Sequence, residues 1–217
     1  MPPLEAVLFD LDGTLVSTRS EYRYQVVGNT LKELGCCAAQ SDMDRFWFGA
    51  DRDKIIRELF AVEPSLFWKA FARYDAAHDR SKHTTTFADI AVLRRLRQHG
   101  LRLGVVTNAP RHIARAELAL IGIHFFDAVV VADPARQIRP KPMPDGILAC
   151  LADLSVLPRH AWFVGNAHED ITAAQAASVR DIYIDRNEHP LPHDAALPSA
   201  TITSLEGLFD LILTNGE

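Results

Sequence analysis

The spacing of apolar residues divides the chain into two kinds of pattern. A short apolar run at residues 4–9 stops abruptly at Asp10-Leu11-Asp12-Gly13, which predicts a buried strand that leads into a tight loop. From residue 21 to about residue 79 no comparable run occurs, and the apolar residues recur at helical spacing, notably at residues 51–60 and 65–78. We therefore expect a small helical unit directly after the first strand.

The second pattern follows the threonines at 84–86, where apolar runs begin to alternate with amphipathic stretches. Continuous apolar strands separated by helices are typical of a doubly wound, mainly parallel sheet with right-handed crossovers. A proline-containing segment, residues 187–198, is interpreted as a surface loop. Helices are expected at residues 88–99, 110–121, 145–154, 170–177 and 205–213, and strands at residues 101–107, 128–132, 161–165, 181–185 and 200–203.

These patterns together predict an α/β fold with two parts. Residues 1–16 and 86–217 are expected to form the α/β core, and residues 17–85 are expected to form an all-helical inserted domain. The insert enters just after the first strand. In open parallel sheets ligands bind at the carboxyl ends of the strands, so the insert begins beside the expected ligand site.

Composition narrows the functional classes. The chain has 217 residues, of which 48% are hydrophobic and 24% are charged, as expected for a globular protein with a substantial core. The formal net charge of −5 gives no basic field, so we expect no binding to nucleic acid or to a membrane surface. No segment resembles a signal peptide or a membrane span, and three cysteines lack disulfide or metal spacing. We therefore expect a soluble cytoplasmic protein, whose oligomeric state stays open.

The strongest chemical signal follows the first predicted strand, in Asp10-Leu11-Asp12-Gly13-Thr14-Leu15. When two carboxylates lie close together, ionisation of one raises the pKa of the other, which yields one nucleophile or metal ligand and one acid. Gly13 allows the backbone to approach a phosphate group closely. The alternative interpretation is an acidic surface turn, since Asp and Gly are common in turns.

This segment resembles the first signature of the haloacid dehalogenase superfamily, whose members use an aspartate nucleophile. Val105-Val106-Thr107-Asn108 resembles the second signature, and Lys141-Pro142 resembles the third. Residues 163–171 resemble the fourth, which is usually Gly-Asp-x-x-x-Asp. A helical insert between the first and second signatures is similar to the cap of the phosphoglycolate-phosphatase-like branch. The resemblance therefore implies a Rossmann-like core with an inserted helical cap.

The resemblance also implies catalytic roles. Asp10 is expected to attack phosphorus and form an aspartyl-phosphate, and Asp12 is expected to act as the general acid and base. Lys141 is expected to supply positive charge to the phosphoryl group and to Asp10. Thr107 and Asn108 are expected to bind the phosphoryl oxygens.

The expected metal is Mg²⁺, held by Asp10, the backbone carbonyl of Asp12, Asp170 and Asn166. Asn166 departs from the family pattern because it stands where an aspartate is usual, which removes one negative charge. We therefore expect weakened metal affinity rather than a different fold. In the predicted cap, the stretch Phe48-Gly49-Ala50-Asp51-Arg52 resembles a substrate-binding Gly-x-x-Arg segment, and Arg52 suits a second anionic group.

The leading functional hypothesis is a magnesium-dependent phosphatase that hydrolyses a small phosphorylated metabolite. A phosphomutase acting on a sugar phosphate would use the same signatures and stays open. A phospho-receiver domain is disfavoured because it has no use for Asp12 or a helical insert. A catalytically weakened phosphate-binding homologue is supported only by Asn166. The natural substrate and pathway stay open.

Overall fold

The computed structural model describes residues 3–49, 51–189, 191–192 and 195–214, apart from the side chains of residues 77 and 78. The chain forms two compact units, Met1–Ser17 with Thr86–Glu217, here called the core unit, and Thr18–Thr85, here called the cap unit. The chain passes from the core unit to the cap unit after Ser17 and returns to the core unit after Thr85.

The helices and strands follow the predicted alternation. In chain order they are β1 Ala6–Phe9, β2 Val16–Thr18, α1 Ser20–Glu33, α2 Gln40–Phe48, α3 Arg52–Phe60, α4 Pro64–Tyr74, α5 Ala77–His83, β3 Thr84–Thr86, α6 Val92–Gln98, β4 Arg102–Thr107, α7 Arg111–Ile121, β5 Ala128–Val131, α8 Asp145–Leu154, β6 Ala161–Gly165, α9 His168–Ala176, β7 Arg180–Ile184, β8 Ala200–Ile202 and α10 Gly207–Thr214. A 3₁₀ turn at Ala88–Ala91 occupies the start of the helix expected at residues 88–99.

The core unit is built on a six-stranded sheet in the order β5-β4-β1-β6-β7-β8. Each pair of neighbouring strands is parallel, and this confirms the predicted doubly wound sheet. Successive side chains of β1 enter different apolar layers, because side chains alternate faces along a strand. Val7 and Phe9 pack in the layer that includes α6, α7 and α10 residues, while Ala6 and Leu8 pack against α8 and α9. Both faces of the sheet are therefore covered by helices.

The cap unit has its own aromatic centre. The ring of Phe46 lies within 6 Å of the rings of Phe60, Phe67, Trp68 and Phe71, at centroid distances of 4.9–5.8 Å. Aromatic side chains bury large areas and favour such tilted contacts. The cap unit therefore buries an apolar centre formed by its own residues.

One helix predicted in the cap is wrong in its extent. Residues 65–78 were expected to be one helix, but α4 ends at Tyr74 and α5 begins two residues after Asp75. Asp75 leaves the helical conformation, and its buried carboxylate accepts hydrogen bonds from Tyr22 at 3.2 Å and from Arg80 at 3.1 Å. These polar contacts, which sequence spacing does not reveal, explain the break.

Within the described residues, no helix combines the length and the apolar character that crossing a membrane requires.

Candidate active site

Three of the predicted motifs meet because of the strand order. β1 lies between β4 and β6, so the residues that end these strands share one edge of the sheet. Asp10 follows β1, Thr107 ends β4 and Asn166 follows β6. The carboxyl ends of parallel strands are where α/β sheets bind ligands.

Lys141 joins two of the predicted carboxylates. Its ammonium Nζ lies 2.5 Å from Asp10 Oδ1 and 2.6 Å from Asp170 Oδ1. All three residues are buried, with exposed fractions of 4%, 7% and 2% for Lys141, Asp10 and Asp170. Hydrogen bonds between such charged groups are short and strong, so Asp10 and Asp170 are held close to one cation.

Burial dominates the electrostatics of Asp10. Its removal from water raises its pKa from the ordinary 3.8 to about 7, although the Lys141 ammonium opposes this and the Asp170 carboxylate adds to it. For Lys141, burial favours the neutral amine, but the two carboxylates outweigh it and raise the pKa above its usual range. Lys141 therefore stays protonated, and two carboxylates share a single ammonium.

Asn166 lies against the loop after β1. Thr14 Oγ1 donates to Asn166 Oδ1 at 3.0 Å and lies 3.4 Å from Asp10 Oδ2. Gly13 has φ +86°, and a Cβ at this position would lie 2.3 Å from Asn166 Nδ2. Glycine is therefore required at position 13 both by its backbone conformation and by the close approach of Asn166.

Asp170 is fixed by the start of α9. Its Oδ2 accepts a hydrogen bond from the backbone N–H of Ala167 at 2.9 Å, while Oδ1 accepts from Lys141. A Cβ at Gly165 would lie 2.3 Å from Asp170 Cγ, so the end of β6 packs directly on this carboxylate. The first turn of a helix also favours a negative charge.

The side-chain amide of Asn108 is hydrogen-bonded to the backbone of Lys141. Its Nδ2 donates to the Lys141 carbonyl at 3.0 Å, and its Oδ1 accepts from the Lys141 N–H at 2.9 Å. This pair of bonds positions the backbone that carries the ammonium. Thr107 is buried, and its Oγ1 accepts from the Ala109 N–H at 3.0 Å. The expected phosphate contacts of Thr107 and Asn108 stay predictions.

The remaining predicted site residues lie in the loop after β1 and in the cap unit. Asp12 is half-buried in the loop, two residues after Asp10. Arg52 is the first residue of α3, and its Nη2 donates to the Trp47 carbonyl at 2.8 Å. Arg52 thus has a structural contact within the cap unit. Ala50, part of the predicted Gly-x-x-Arg stretch, lies outside the described residues.

The residues at this edge offer oxygen donors to a metal. The described residues contain no group of three His, Cys, Asp or Glu side chains that could hold one, so the candidate donors are two carboxylates, an amide oxygen and a main-chain carbonyl. Mg²⁺ prefers such oxygen donors and keeps several waters. Since Asp10 and Asp170 share only Lys141, one negative charge is left for a cation to offset. The donor set therefore fits Mg²⁺.

Two residues that support the site, Thr14 and His189, were not predicted from the sequence. No role was assigned to Thr14, although Thr14 lies within the first signature. Residues 187–198 were interpreted as a surface loop, whereas His189 Nε2 lies 3.1 Å from Asn166 Nδ2. The signal that could have found His189 is its place after the carboxyl end of β7, an apolar parallel strand.

Comparison with known proteins agrees with the motifs. A sequence model described as haloacid dehalogenase-like hydrolase matches residues 7–184. The phosphoglycolate phosphatase of Pseudomonas putida (strain KT2440) is 30% identical over 213 residues, covering 93% of this chain and 77% of that protein. The pyrophosphatase PpaX of Oceanobacillus iheyensis is 25% identical over 179 residues, covering 82% and 81%. The crystal structure of a HAD phosphatase from Thermococcus onnurineus matches with a TM-score of 0.69 and 25% identity, covering 96% and 98%.

Proposed function

Because the chain belongs to the haloacid dehalogenase-like hydrolase family and is a phosphohydrolase, we propose that it hydrolyses a small phosphate monoester through a phosphorylated Asp10. The observation that carries this proposal is the buried Asp10–Lys141–Asp170 array at the carboxyl edge of the sheet, with Asp12 two residues from Asp10. A buried carboxylate beside a fixed cation suits attack on a phosphoryl group, because the cation can hold the attacking oxygen in line with the bond that breaks.

The first step transfers the phosphoryl group to the protein. A carboxylate oxygen of Asp10 forms a bond to phosphorus while the bond from phosphorus to the ester oxygen breaks. Protonated Asp12 gives its proton to the leaving oxygen, so an alcohol departs.

The second step regenerates the protein. Water attacks phosphorus, its proton passes to Asp12, and the bond between phosphorus and Asp10 breaks to release inorganic phosphate. Lys141 stays protonated throughout, so its charge stabilises the anionic phosphoryl oxygens as well as Asp10.

We propose that Asp10, the Asp12 carbonyl, Asp170 and Asn166 hold Mg²⁺. When bound, the cation supplies positive charge that offsets the phosphoryl group and the two carboxylates. Burial is the main cause of the raised pKa of Asp10, and repulsion by the Asp170 carboxylate adds to it. We therefore expect a bound cation to lower that pKa.

The names of the relatives supply the first substrates to test, phosphoglycolate and pyrophosphate. We propose a small phosphorylated metabolite as the natural substrate, with Arg52 binding a second anionic group, and we propose a cytoplasmic location. A phosphomutase would pass the phosphoryl group from Asp10 to a sugar rather than to water. Release of inorganic phosphate, compared with isomerisation of a sugar phosphate, separates these two activities.

The test is hydrolysis of p-nitrophenyl phosphate with Mg²⁺ and with EDTA. We expect magnesium-dependent release of phosphate from the wild type and none from Asp10→Asn, which folds but lacks the nucleophile. Asp153→Asn, an exposed position on α8, is the matched control and should retain full activity. Normal turnover by Asp10→Asn would exclude Asp10 as nucleophile, and an inactive wild type would favour a phosphate-binding homologue.

A further inference from the structure

The segment that follows β7 is bound to the loop after β1 and to β2. Arg186 donates to the Thr14 carbonyl from Nε at 3.2 Å and from Nη2 at 2.7 Å. Its side chain is only 6% exposed. Two residues later, Glu188 Oε1 accepts a hydrogen bond from Ser17 Oγ at 2.5 Å. These contacts fix the path of the chain immediately before His189.

The ring of His189 contacts Asn166, the residue that departs from the family pattern. His189 Nε2 lies 3.1 Å from Asn166 Nδ2, while the other end of the amide, Oδ1, accepts from Thr14 Oγ1 at 3.0 Å. An amide nitrogen only donates, so Nε2 of His189 must be the acceptor, which requires the proton of the neutral ring to be on Nδ1. The orientation of the buried amide and the tautomer of the ring are therefore linked, because a reversed amide would accept from a protonated Nε2.

We propose that His189 is a positioning residue that keeps Asn166 Oδ1, rather than its NH₂ group, directed to the side of Thr14 and Asp10. This inference rests on the proposed function, in which Asn166 Oδ1 is a donor to Mg²⁺. A carboxylate at position 166 would present two equivalent oxygens and would need no such partner. An amide has one oxygen, and a reversed amide would present N–H donors to a cation.

For this role, the side chain at position 189 must place a hydrogen-bond acceptor where the ring Nε2 of His189 lies. His189→Phe keeps a ring but removes the acceptor. His189→Gln keeps an acceptor, since its side-chain oxygen reaches about as far as Nε2. His124→Phe is the matched control, because His124 is exposed in the turn before β5, at the opposite edge of the sheet.

The experiment measures the Kd of Mg²⁺ by calorimetry on each full-length protein, with the melting temperature in EDTA to check folding. We expect His189→Phe to raise the Kd about fivefold or more, the scale of one lost hydrogen bond. His189→Gln and His124→Phe should stay close to the wild type. Equal weakening by His189→Phe and His189→Gln would overturn the inference, because it would make the ring itself, not its acceptor, the requirement.

A second arm repeats His189→Phe with Asn166→Asp. Asn166→Asp alone should bind Mg²⁺ more tightly than the wild type, since it adds a carboxylate. In that background His189→Phe should cause no weakening, because the carboxylate needs no orientation. The same loss in both backgrounds would contradict a role that acts through the amide.

A third readout is the ¹⁵N spectrum of the His189 ring in the metal-free wild type. The inference requires a protonated Nδ1 and an unprotonated Nε2. A proton on Nε2 would overturn it, because the ring would then donate to the amide oxygen and the amide would have the reverse orientation.

These outcomes distinguish the proposed function from the proposed role of His189. A wild type that binds Mg²⁺ and hydrolyses phosphate esters, with all His189 variants binding equally well, leaves the proposed function standing and rejects this inference. A wild type that binds no Mg²⁺ rejects both the metal site and this inference.

Discussion

Asp10 lies where burial and one ammonium act on its pKa in opposite directions, and burial has the larger effect. The carboxyl group of Asp10, which we propose as the nucleophile, therefore holds its proton more tightly in the folded protein than in the unfolded chain. Lys141 is affected in the other sense, since its carboxylate partners keep it charged despite burial. Two carboxylates thus share one ammonium, and we propose that Mg²⁺ supplies further positive charge.

This imbalance predicts how stability depends on pH without metal. Since the folded pKa of Asp10, about 7, exceeds its ordinary 3.8, its stabilising effect is complete below about pH 4 and is lost as the pH rises through 7. In EDTA we expect the free energy of unfolding of the wild type to fall, relative to Asp10→Asn, between pH 5 and pH 8. Urea unfolding at both pH values measures it, and added Mg²⁺ should reduce the loss. Equal pH dependence of the two proteins would contradict the raised pKa.

Helices and strands with strong apolar patterns were predictable. Asp145–Leu154 and Ala161–Gly165 form helix and strand over the residues expected, because both carry strong apolar patterns. The strand is wholly buried, and the helix buries one face. The break at Asp75 was not predictable, since it depends on a buried contact with Arg80. β2 was not predicted either, because three residues are too few to show the alternation that indicates a strand.

In the candidate site, too, some features were predictable from the sequence and others were not. The motifs indicated Asp10, Lys141 and Asp170 as candidates, and in the structure these three side chains contact one another. The strand order explains how distant motifs meet. The bonds of Asn108 to the Lys141 backbone, and the contact of His189 with Asn166, were not predicted. Both join segments far apart in the chain through loops, where no periodicity indicates which side chains will meet.

The loop after β1 depends on the segment after β7 through Arg186. Its guanidinium binds the Thr14 carbonyl and both carboxylate oxygens of Asp89, at 2.7 Å and 3.1 Å. Removing one partner of a buried pair leaves the other charge uncompensated. The connection is therefore expected to matter for stability as well as for the geometry of the loop.

We predict that Arg186→Met lowers the free energy of unfolding by about 3 kcal/mol or more, as for a broken buried ion pair. Arg95→Met is the control, since Arg95 pairs with Glu206 at the surface, where both side chains are about half exposed. Exposed pairs contribute at most about 1 kcal/mol. Urea unfolding of both variants measures the difference, and similar small losses would mean that Arg186 is not a support of the loop.

The chain folds into two units, each with its own apolar centre. The core unit packs helices on both faces of its sheet, and the cap unit packs around Phe46. The groups proposed to carry the reaction, Asp10, Asp12 and Lys141, all belong to the core unit. We therefore expect the core to perform the chemistry and the cap to set substrate choice.

This division predicts a substrate-dependent effect of Arg52→Ala. Loss of a charged hydrogen bond, about 1.5–3 kcal/mol, should reduce kcat/KM for phosphoglycolate by roughly 10- to 100-fold. Hydrolysis of p-nitrophenyl phosphate, which has no second anionic group, should change little. Arg57→Ala, an exposed position on the same helix, is the control for both substrates. Equal losses for both substrates would instead assign Arg52 to folding of the cap, through its bond to the Trp47 carbonyl.

We propose that Asp10 carries the phosphoryl group during turnover. Acid quenching of the enzyme with substrate and Mg²⁺, followed by mass spectrometry of its peptides, tests this directly. We expect one phosphoryl group on Asp10 in the wild type and none in Asp10→Asn. With p-nitrophenyl phosphate, whose leaving group needs little protonation, Asp12→Asn should accumulate a larger amount, because removal of the group by water is slowed. A phosphoryl group on another residue, or continued turnover by Asp10→Asn, would contradict the account.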